Sequence, residues 1–131
     1  MEIDRLRNYP VIILDSSILL SSIELKMDIE DEVDQILPGG EIVVPSTVLD
    51  EVECMRSSAA RAAAKLARRF RIVHAREAEG VDNSLIDLAE QFIEGGREAI
   101  VATADKKLRI SLKEREIKAI LVRGRNRLEL N

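Results

Sequence analysis

Val11-Ile12-Ile13-Leu14-Asp15-Ser16-Ser17 is the stretch that decides the fold: four apolar residues run without alternation, end at one carboxylate and are followed by two hydroxyl residues. An unbroken apolar run of this kind predicts a strand that is buried on both faces of a parallel sheet. Ligands bind such sheets in the crevice at the carboxyl ends of the strands. Because a buried carboxylate is costly without compensation, we expect a cation, a cationic side chain or several hydrogen-bond donors beside Asp15.

The composition predicts one domain over residues 1–131, with 46% hydrophobic and 34% charged residues arguing against disorder. The single cysteine excludes an intramolecular disulfide and a cysteine-based metal framework. With no signal-peptide pattern and no long apolar run, it predicts a cytoplasmic protein. Only 2% of the residues are aromatic, which argues against a stacking platform for single-stranded nucleic acid.

The formal net charge of −4 hides a segregated pattern. Residues 24–53 contain ten acidic residues and one lysine, residues 56–76 contain seven basic residues and no acidic one, and residues 106–127 contain nine basic residues against two glutamates. Such segregation can build an acidic pocket beside a basic surface.

Strands alternating with helices along the chain predict a parallel sheet with helices on both faces. The predicted strands are 11–15, 41–44, 71–75, 99–103 and 119–122. The predicted helices are one capped by Ser16 or Ser17 and running to Ile23, one over 27–37, one capped by Ser46, and three over 59–70, 81–93 and 106–114, with a polar loop over 76–80. A short basic tail is predicted from about residue 123, with Gly124 at its start.

Four acidic residues fall at comparable places in this plan. Asp15 and Asp105 follow the first and fourth strands, Glu51 lies early in the helix after the second strand, and Asp82 lies at the start of the helix before the fourth strand. If the first and fourth strands are neighbours, all four carboxylates can reach one crevice. Since like carboxylates cannot all ionise together without a cation, and hard divalent ions prefer oxygen ligands, the set predicts Mg²⁺ or Mn²⁺.

Four motifs in order resemble the PIN-domain ribonucleases, nearest to the archaeal and eukaryotic branch linked to pre-rRNA processing. The motifs are Leu14-Asp15-Ser16-Ser17, then Val43-Val44-Pro45-Ser46 leading to Glu51, then Asp82-Asn83-Ser84-Leu85, then Val101-Ala102-Thr103-Ala104-Asp105-Lys106-Lys107-Leu108. The chain departs from that branch at Asn83, where a second Asp is usual, and at Ser17, where Asn is common.

The resemblance implies a three-layer α/β/α sandwich with a central parallel sheet of about five strands. It implies a divalent-metal-dependent endoribonuclease that hydrolyses RNA phosphodiester bonds, with a role in rRNA processing. The expected catalytic residues are Asp15, Glu51, Asp82 and Asp105, of which Asp15, Asp82 and Asp105 would hold the metal and Glu51 would be a ligand or a supporting acid. Ser16, Thr103 and Asn83 are the expected supporting residues.

Two basic segments are expected to bind RNA. Arg61, Lys65 and Arg68 recur on one helix face, and Lys106, Lys107 and Arg109 follow the fourth strand. Two alternatives stay open: a non-catalytic RNA-binding or ribosome-assembly protein, and the ribonuclease toxin of a toxin–antitoxin pair. The expected partner is RNA, without a membrane, and a homodimer, an antitoxin or ribosome-assembly partners stay open.

Overall fold

The structure, a computed structural model, describes residues 9–74, 80–124 and 126–131. In that part of the chain, six helices surround one six-stranded sheet. The strands are β1 (Val11–Leu14), β2 (Glu41–Pro45), β3 (Arg71–Val73), β4 (Ala99–Ala102), β5 (Lys118–Arg123) and β6 (Arg127–Leu130). The helices are α1 (Ser16–Glu24), α2 (Ile29–Ile36), α3 (Ser46–Cys54), α4 (Ser58–Ala67), α5 (Val81–Glu94) and α6 (Lys106–Glu114).

The strand order is β3-β2-β1-β4-β5-β6, with the first five strands parallel and β6 antiparallel to β5. The chain moves from β1 to β3 in one direction across the sheet, and from β3 past β1 to β5 in the other. Right-handed crossovers therefore place the connecting helices on opposite faces. This arrangement confirms the predicted three-layer α/β/α fold.

β1 lies in the middle of the sheet because all four of its residues are apolar and completely buried. It pairs with β2 on one side and with β4 on the other, so the first and fourth strands are neighbours, as a crevice shared by Asp15 and Asp105 requires. Leu14 is in register with Ala102, and the Asp15 N–H donates to the Ala102 carbonyl at 3.0 Å. The strand order reverses between β1 and β4, and at this place parallel sheets open a ligand crevice beyond their carboxyl ends.

The cap of α1 differs from the prediction of Ser16 or Ser17. Asp15 has extended backbone angles and its side chain accepts from the Ser16 N–H, so Asp15 is the N-cap and both serines lie within the helix. The physical reason is that a carboxylate at the end of a strand is placed to accept the first free N–H of the following helix.

Other helix limits also differ from the sequence pattern. Ser46 is the first residue of α3, after Pro45 in the cap position, and is not the cap itself. α4 is capped by Ser57 and ends at Ala67, earlier than the predicted end at Phe70. α2 starts at Ile29 because Asp28 caps it through the Asp31 N–H.

The predicted basic tail is wrong over most of its length, because residues 127–130 form β6. The pattern of this strand is polar-apolar-polar-apolar, and Leu128 is buried. Gly124, with a positive φ of 64°, begins the turn that brings β6 back onto β5. β3 ends at Val73, and residues 75–79 of the predicted strand end and polar loop lie outside the described residues. None of the helices in the described ranges has the length and apolar character needed to cross a membrane.

Candidate active site

Asp15 lies at the centre of the candidate site with 4% of its surface exposed. Its Oδ1 accepts from the Ser16 N–H at 2.7 Å and more weakly from the Ser16 hydroxyl at 3.4 Å. Its Oδ2 accepts from Ser17 Oγ and from Thr103 Oγ1, both at 2.8 Å. Of the three forms of compensation expected for this carboxylate, the described residues supply several hydrogen-bond donors.

Ser17 and Thr103 join the end of β1 to the loop after β4. Their hydroxyl oxygens are 3.1 Å apart. Ser17 Oγ also accepts from the Ala104 N–H at 2.9 Å, and Thr103 Oγ1 accepts from the Asp105 N–H at 3.0 Å. The network therefore fixes the Asp15 side chain and the backbone of Asp105 relative to each other.

Ser17 is the residue of this network that the predicted supporting set of Ser16, Asn83 and Thr103 omits. The usable signal is its position, two residues after a strand-end Asp and within the first turn of a helix, where a short hydroxyl side chain reaches back to the carboxylate. A second hydroxyl pair nearby, Thr47 Oγ1 and Ser84 Oγ at 2.9 Å, connects the starts of α3 and α5. No pattern in the sequence indicated that pair.

Asp105 is the N-cap of α6. Its Oδ1 accepts from the Lys107 N–H at 2.8 Å and from the Leu108 N–H at 3.4 Å. Its Oδ2 makes no hydrogen bond to any residue that the structure describes. Asp105 thus combines a structural role at one oxygen with an available oxygen at the edge of the crevice.

Glu51 lies on α3 and reaches the same edge. Its Oε1 accepts a hydrogen bond from the Ser16 hydroxyl, the same group that lies beside Asp15 Oδ1. Its acidic neighbours on the helix do not reach this position: Asp50 is exposed, and Glu53 forms an ion pair with Arg68 at 2.7 Å. The apolar positions Val48 and Val52 orient α3 so that Glu51 lies at the buried edge of the helix.

Asp82 lies in the first turn of α5 and is the most exposed of the four acids. Partial desolvation, followed by repulsion from Asp15, Asp105 and Glu51 in that order, raises the pKa of Asp82 above its ordinary value of 3.8. Asp15, Asp105 and Glu51 therefore lie near enough to Asp82 for their charges to oppose its ionisation. Asn83, the next residue, is exposed, whereas Asp87 accepts a hydrogen bond from Gln91 one turn further along α5.

The four acids lack charge compensation from the described part of the protein. No Lys, Arg or His described in the structure forms an ion pair with any of them. Nor do three or more Asp, Glu, His or Cys side chains of the described residues stand close enough together to enclose one metal ion. The donor set nevertheless fits Mg²⁺ or Mn²⁺ in its chemistry, since Mg²⁺ is typically held by one or two carboxylates and completes its shell with water and substrate phosphate.

The space at this edge is a groove of about 120 Å³ that contacts Thr103, Asp105, Lys106 and Arg109. A larger groove, of about 750 Å³, lies at the opposite end of the sheet against the start of β2. Its acidic residues include Glu30 and Glu41, which form ion pairs with arginines, and it does not reach the four carboxylates. Size therefore does not identify the candidate site, whereas the convergence of coupled acids does.

The predicted RNA-binding residues divide into two groups. Arg61 and Lys65 are exposed on α4, but Arg68 is paired with Glu53, which lines the same groove of about 360 Å³. On α6, Lys106 and Arg109 line the groove beside Asp105, whereas Lys107 does not. The structure thus brings one part of the predicted basic surface to the acidic edge and leaves the rest apart from it.

The mostly parallel α/β/α sandwich places the carboxylates that follow β1 and β4 at the crevice beyond the carboxyl ends of the strands, where open α/β sheets bind their ligands. The chain matches the PIN-like domain family over residues 12–125, and it belongs to that family. Among solved structures it is similar to the PIN domain endonuclease Utp24, with a TM-score of 0.76, 19% sequence identity, and coverage of 91% of this chain and 90% of that chain. No curated protein matches the chain significantly.

Proposed function

We propose that this protein is a divalent-metal-dependent endoribonuclease that hydrolyses RNA phosphodiester bonds, with rRNA precursors as the substrate class. The observation that carries the proposal is the hydrogen-bond network that joins Asp15 to Glu51 through the Ser16 hydroxyl and to the Asp105 backbone through Thr103, where no described cationic residue forms an ion pair with these acids. Membership of the PIN-like family and the similarity in fold to an endonuclease support the same reading.

Asp15, Asp82 and Asp105 are the residues that would hold Mg²⁺ or Mn²⁺, one or two of them as direct ligands and the others through water, since no three acids of the described residues stand close enough to enclose the ion by themselves. When bound, the ion supplies Lewis-acid stabilisation of charge on phosphate oxygens and lowers the pKa of bound water. Asp15 is suited to be the fixed member, because four hydrogen bonds leave its side chain little rotational freedom. Asp105 offers Oδ2, and Asp82 is reachable from solvent and by substrate.

The remaining side chains position the acids. The Thr103 hydroxyl donates to Asp15 Oδ2 and accepts from the Asp105 N–H, so this one group positions both residues. The hydroxyl of Ser16 links Glu51 to Asp15, so Glu51 is held against the site as a supporting acid. Desolvation and, after it, repulsion from the other three acids raise the pKa of Asp82, and a bound cation would relieve the repulsive part.

A second function, RNA binding or ribosome assembly without catalysis, is favoured by one observation. No three acidic, His or Cys side chains in the described ranges are arranged to hold a metal ion by themselves. Calorimetric titration with Mn²⁺ separates the two functions: saturable binding at or below millimolar concentrations supports the nuclease, and its absence supports the binding protein.

The decisive experiment is cleavage of a labelled single-stranded RNA in Mn²⁺ or Mg²⁺, with EDTA as the metal-free arm. Asp105→Asn is the best variant, because Asn is as good an N-cap as Asp and can keep the contacts to the start of α6 while removing the charge. Asp50→Asn is the matched control, since Asp50 is an exposed acid outside the site. We expect cleavage by the wild type and Asp50→Asn, and a loss of about 100-fold or more in Asp105→Asn. Equal cleavage by all three proteins would refute the proposal.

A further inference from the structure

Three basic residues of α6 share one face of the helix. Lys106, Arg109 and Lys113 follow at spacings of three and four residues, which places them in line. All three are exposed, and none forms an ion pair with a residue that the structure describes. They contrast with the neighbouring Arg115, which is paired with Glu90 at 3.2 Å.

Two grooves lie along this face and meet at Arg109. The upper groove, of about 120 Å³, starts at Asp105 and Thr103 and is bounded by Lys106 and Arg109. The lower groove, of about 260 Å³, continues from Arg109 to Lys113 and the start of β5. Among the described side chains, Glu116 is the one carboxylate that lines the lower groove. Lys118 also lines this groove and is paired with Glu98 at 2.8 Å. Together the grooves follow α6 away from the acidic edge.

We propose that these two grooves form one track for the phosphate backbone of single-stranded RNA, with Lys106, Arg109 and Lys113 as its phosphate contacts. The inference rests on the proposed nuclease function, because the track ends at Asp105, one of the four carboxylates that would act on the strand. From Lys106 to Lys113 the helix rises roughly 10 Å, so the cations contact phosphates of more than one nucleotide. The track is on one side of the acids, so RNA on one side of the scissile bond contributes most of the affinity.

The chemistry of the track predicts how it binds. The whole chain has no Trp, one Tyr and two Phe, and no aromatic residue lines either groove. Base stacking therefore contributes little, and affinity comes from phosphate contacts that release counterions and ignore base sequence. The basic face of α4 is a weaker candidate for binding RNA, because Arg68 on that face already forms an ion pair with Glu53.

The test is the salt dependence of RNA binding, measured by fluorescence anisotropy with a labelled twelve-nucleotide oligouridine and the Asp105→Asn protein, which keeps the RNA intact. Arg109→Gln and Lys113→Gln each remove one phosphate contact. For single-stranded nucleic acid, each lost contact lowers the slope of log K against log salt by about 0.7, which is about fivefold in affinity at 0.1 M salt. Lys26→Gln is the control, because Lys26 is an exposed cation at the far end of α1 and forms no ion pair with a described residue.

We expect the double variant Arg109→Gln/Lys113→Gln to weaken binding by about 25-fold, the product of the two single effects. Lys26→Gln should leave binding unchanged, and Lys107→Gln, which removes a charge from α6 outside both grooves, should have less effect than Arg109→Gln. An effect of Lys26→Gln or Lys107→Gln equal to that of Arg109→Gln would overturn the track, since overall charge would then explain the binding. So would an unchanged slope in the double variant.

Cleavage assays separate this inference from the proposed function. In the protein with Asp105 intact, the double variant should raise KM for RNA by about the same factor as its binding loss, and leave kcat near the wild-type value. If the wild type cleaves RNA and the double variant is unchanged, the track is wrong and the nuclease stands. If the wild type shows no cleavage while the salt slopes change as expected, the track stands and the nuclease is wrong. Thermal midpoints near wild type check that these exposed substitutions leave the fold intact.

Discussion

Replacing Asp82 by Asn should stabilise the metal-free protein and reduce its stabilisation by Mg²⁺. The pKa of Asp82 is raised from 3.8 by desolvation and then by Asp15, Asp105 and Glu51. A folded-state pKa above the unfolded value means that this group contributes stability fully below about pH 3.8, and that the contribution is lost as pH rises through the raised folded value. At neutral pH the wild type has therefore lost this contribution to stability. The Asp82→Asn variant has no ionisable side chain at this position, so it avoids the repulsion that the ionised carboxylate meets.

The size of the gain follows from exposed charge pairs. Each of the three carboxylates repels Asp82 by about 0.5 kcal/mol after screening by solvent, which is about 1.5 kcal/mol together. The N-terminus of α5 favours the Asp82 charge by about 0.3–1 kcal/mol and opposes the gain. The net stabilisation by Asp82→Asn is thus about 1 kcal/mol at pH 7 and low salt, or about 4 °C in the thermal midpoint for a domain of this size.

Thermal unfolding in EDTA from pH 7 to pH 4 measures this effect, with Asp50→Asn as the control for general charge removal. The gain of Asp82→Asn should shrink as the pH approaches 4. On addition of Mg²⁺ at ten times its dissociation constant, the wild type should gain about 1.4 kcal/mol and Asp82→Asn clearly less. Two results would contradict a repelled Asp82 that helps to bind Mg²⁺. One is a lower midpoint for Asp82→Asn than for Asp50→Asn in EDTA at pH 7, and the other is equal Mg²⁺ stabilisation of the wild type and Asp82→Asn.

Three further predictions concern the hydrogen bonds around the site. Asp15→Asn should destabilise the protein by about 2 kcal/mol in urea unfolding, because an amide has one acceptor oxygen and cannot accept both from the Ser16 N–H on one side and from Ser17 and Thr103 on the other; an unchanged midpoint would contradict the network. Thr103→Val should cost about 2 kcal/mol and lower RNA cleavage, with Thr103→Ser restoring both, since the loss removes a buried donor to Asp15 and leaves the half-buried Asp105 N–H without its acceptor. Asp105→Ala should cost about 1 kcal/mol more than Asp105→Asn in thermal unfolding, because Ala cannot cap α6; equal stability of the two variants would remove the capping role.

The fold could be predicted because the strongest signals in the chain are those of burial. Val11 to Leu14 are apolar without alternation, and only a strand covered on both faces satisfies such a run, so β1 had to be central. The alternation of strands and helices then fixes a parallel sheet. The sequence left open whether β4 lies beside β1, and the structure places the two strands next to each other.

Local hydrogen bonding was harder to predict. Asp15 and Ser16 are both good caps, and only the three-dimensional course of the backbone decides that Asp15 takes the position. β6 was missed because its four residues include one Arg and one Glu, although the alternation around Leu128 and the turn at Gly124 are recognisable signals. Such a short strand is stable only because β5 provides a ready edge.

In the candidate site, too, the positions of residues along the chain could be predicted, whereas their contacts could not. The types and approximate places of the four acids follow from strand ends and helix starts, whereas their coupling requires the sheet order. The division of the basic residues could not be read from charge alone. Arg68 pairs with Glu53, fifteen residues away in sequence, and Lys107 lines neither the groove beside Lys106 and Arg109 nor the one that continues from Arg109.

Anomalous diffraction from a Mn²⁺-soaked crystal tests the central claim most directly, because it reports the position of the metal without depending on a substrate. We expect a Mn²⁺ peak within coordination distance of Asp15 or Asp105 and beside Asp82. The same peak should be absent from crystals of Asp105→Asn or strongly reduced in them. No peak at this edge of the sheet in saturating Mn²⁺, or an undiminished peak in Asp105→Asn, would contradict a metal site built from these carboxylates.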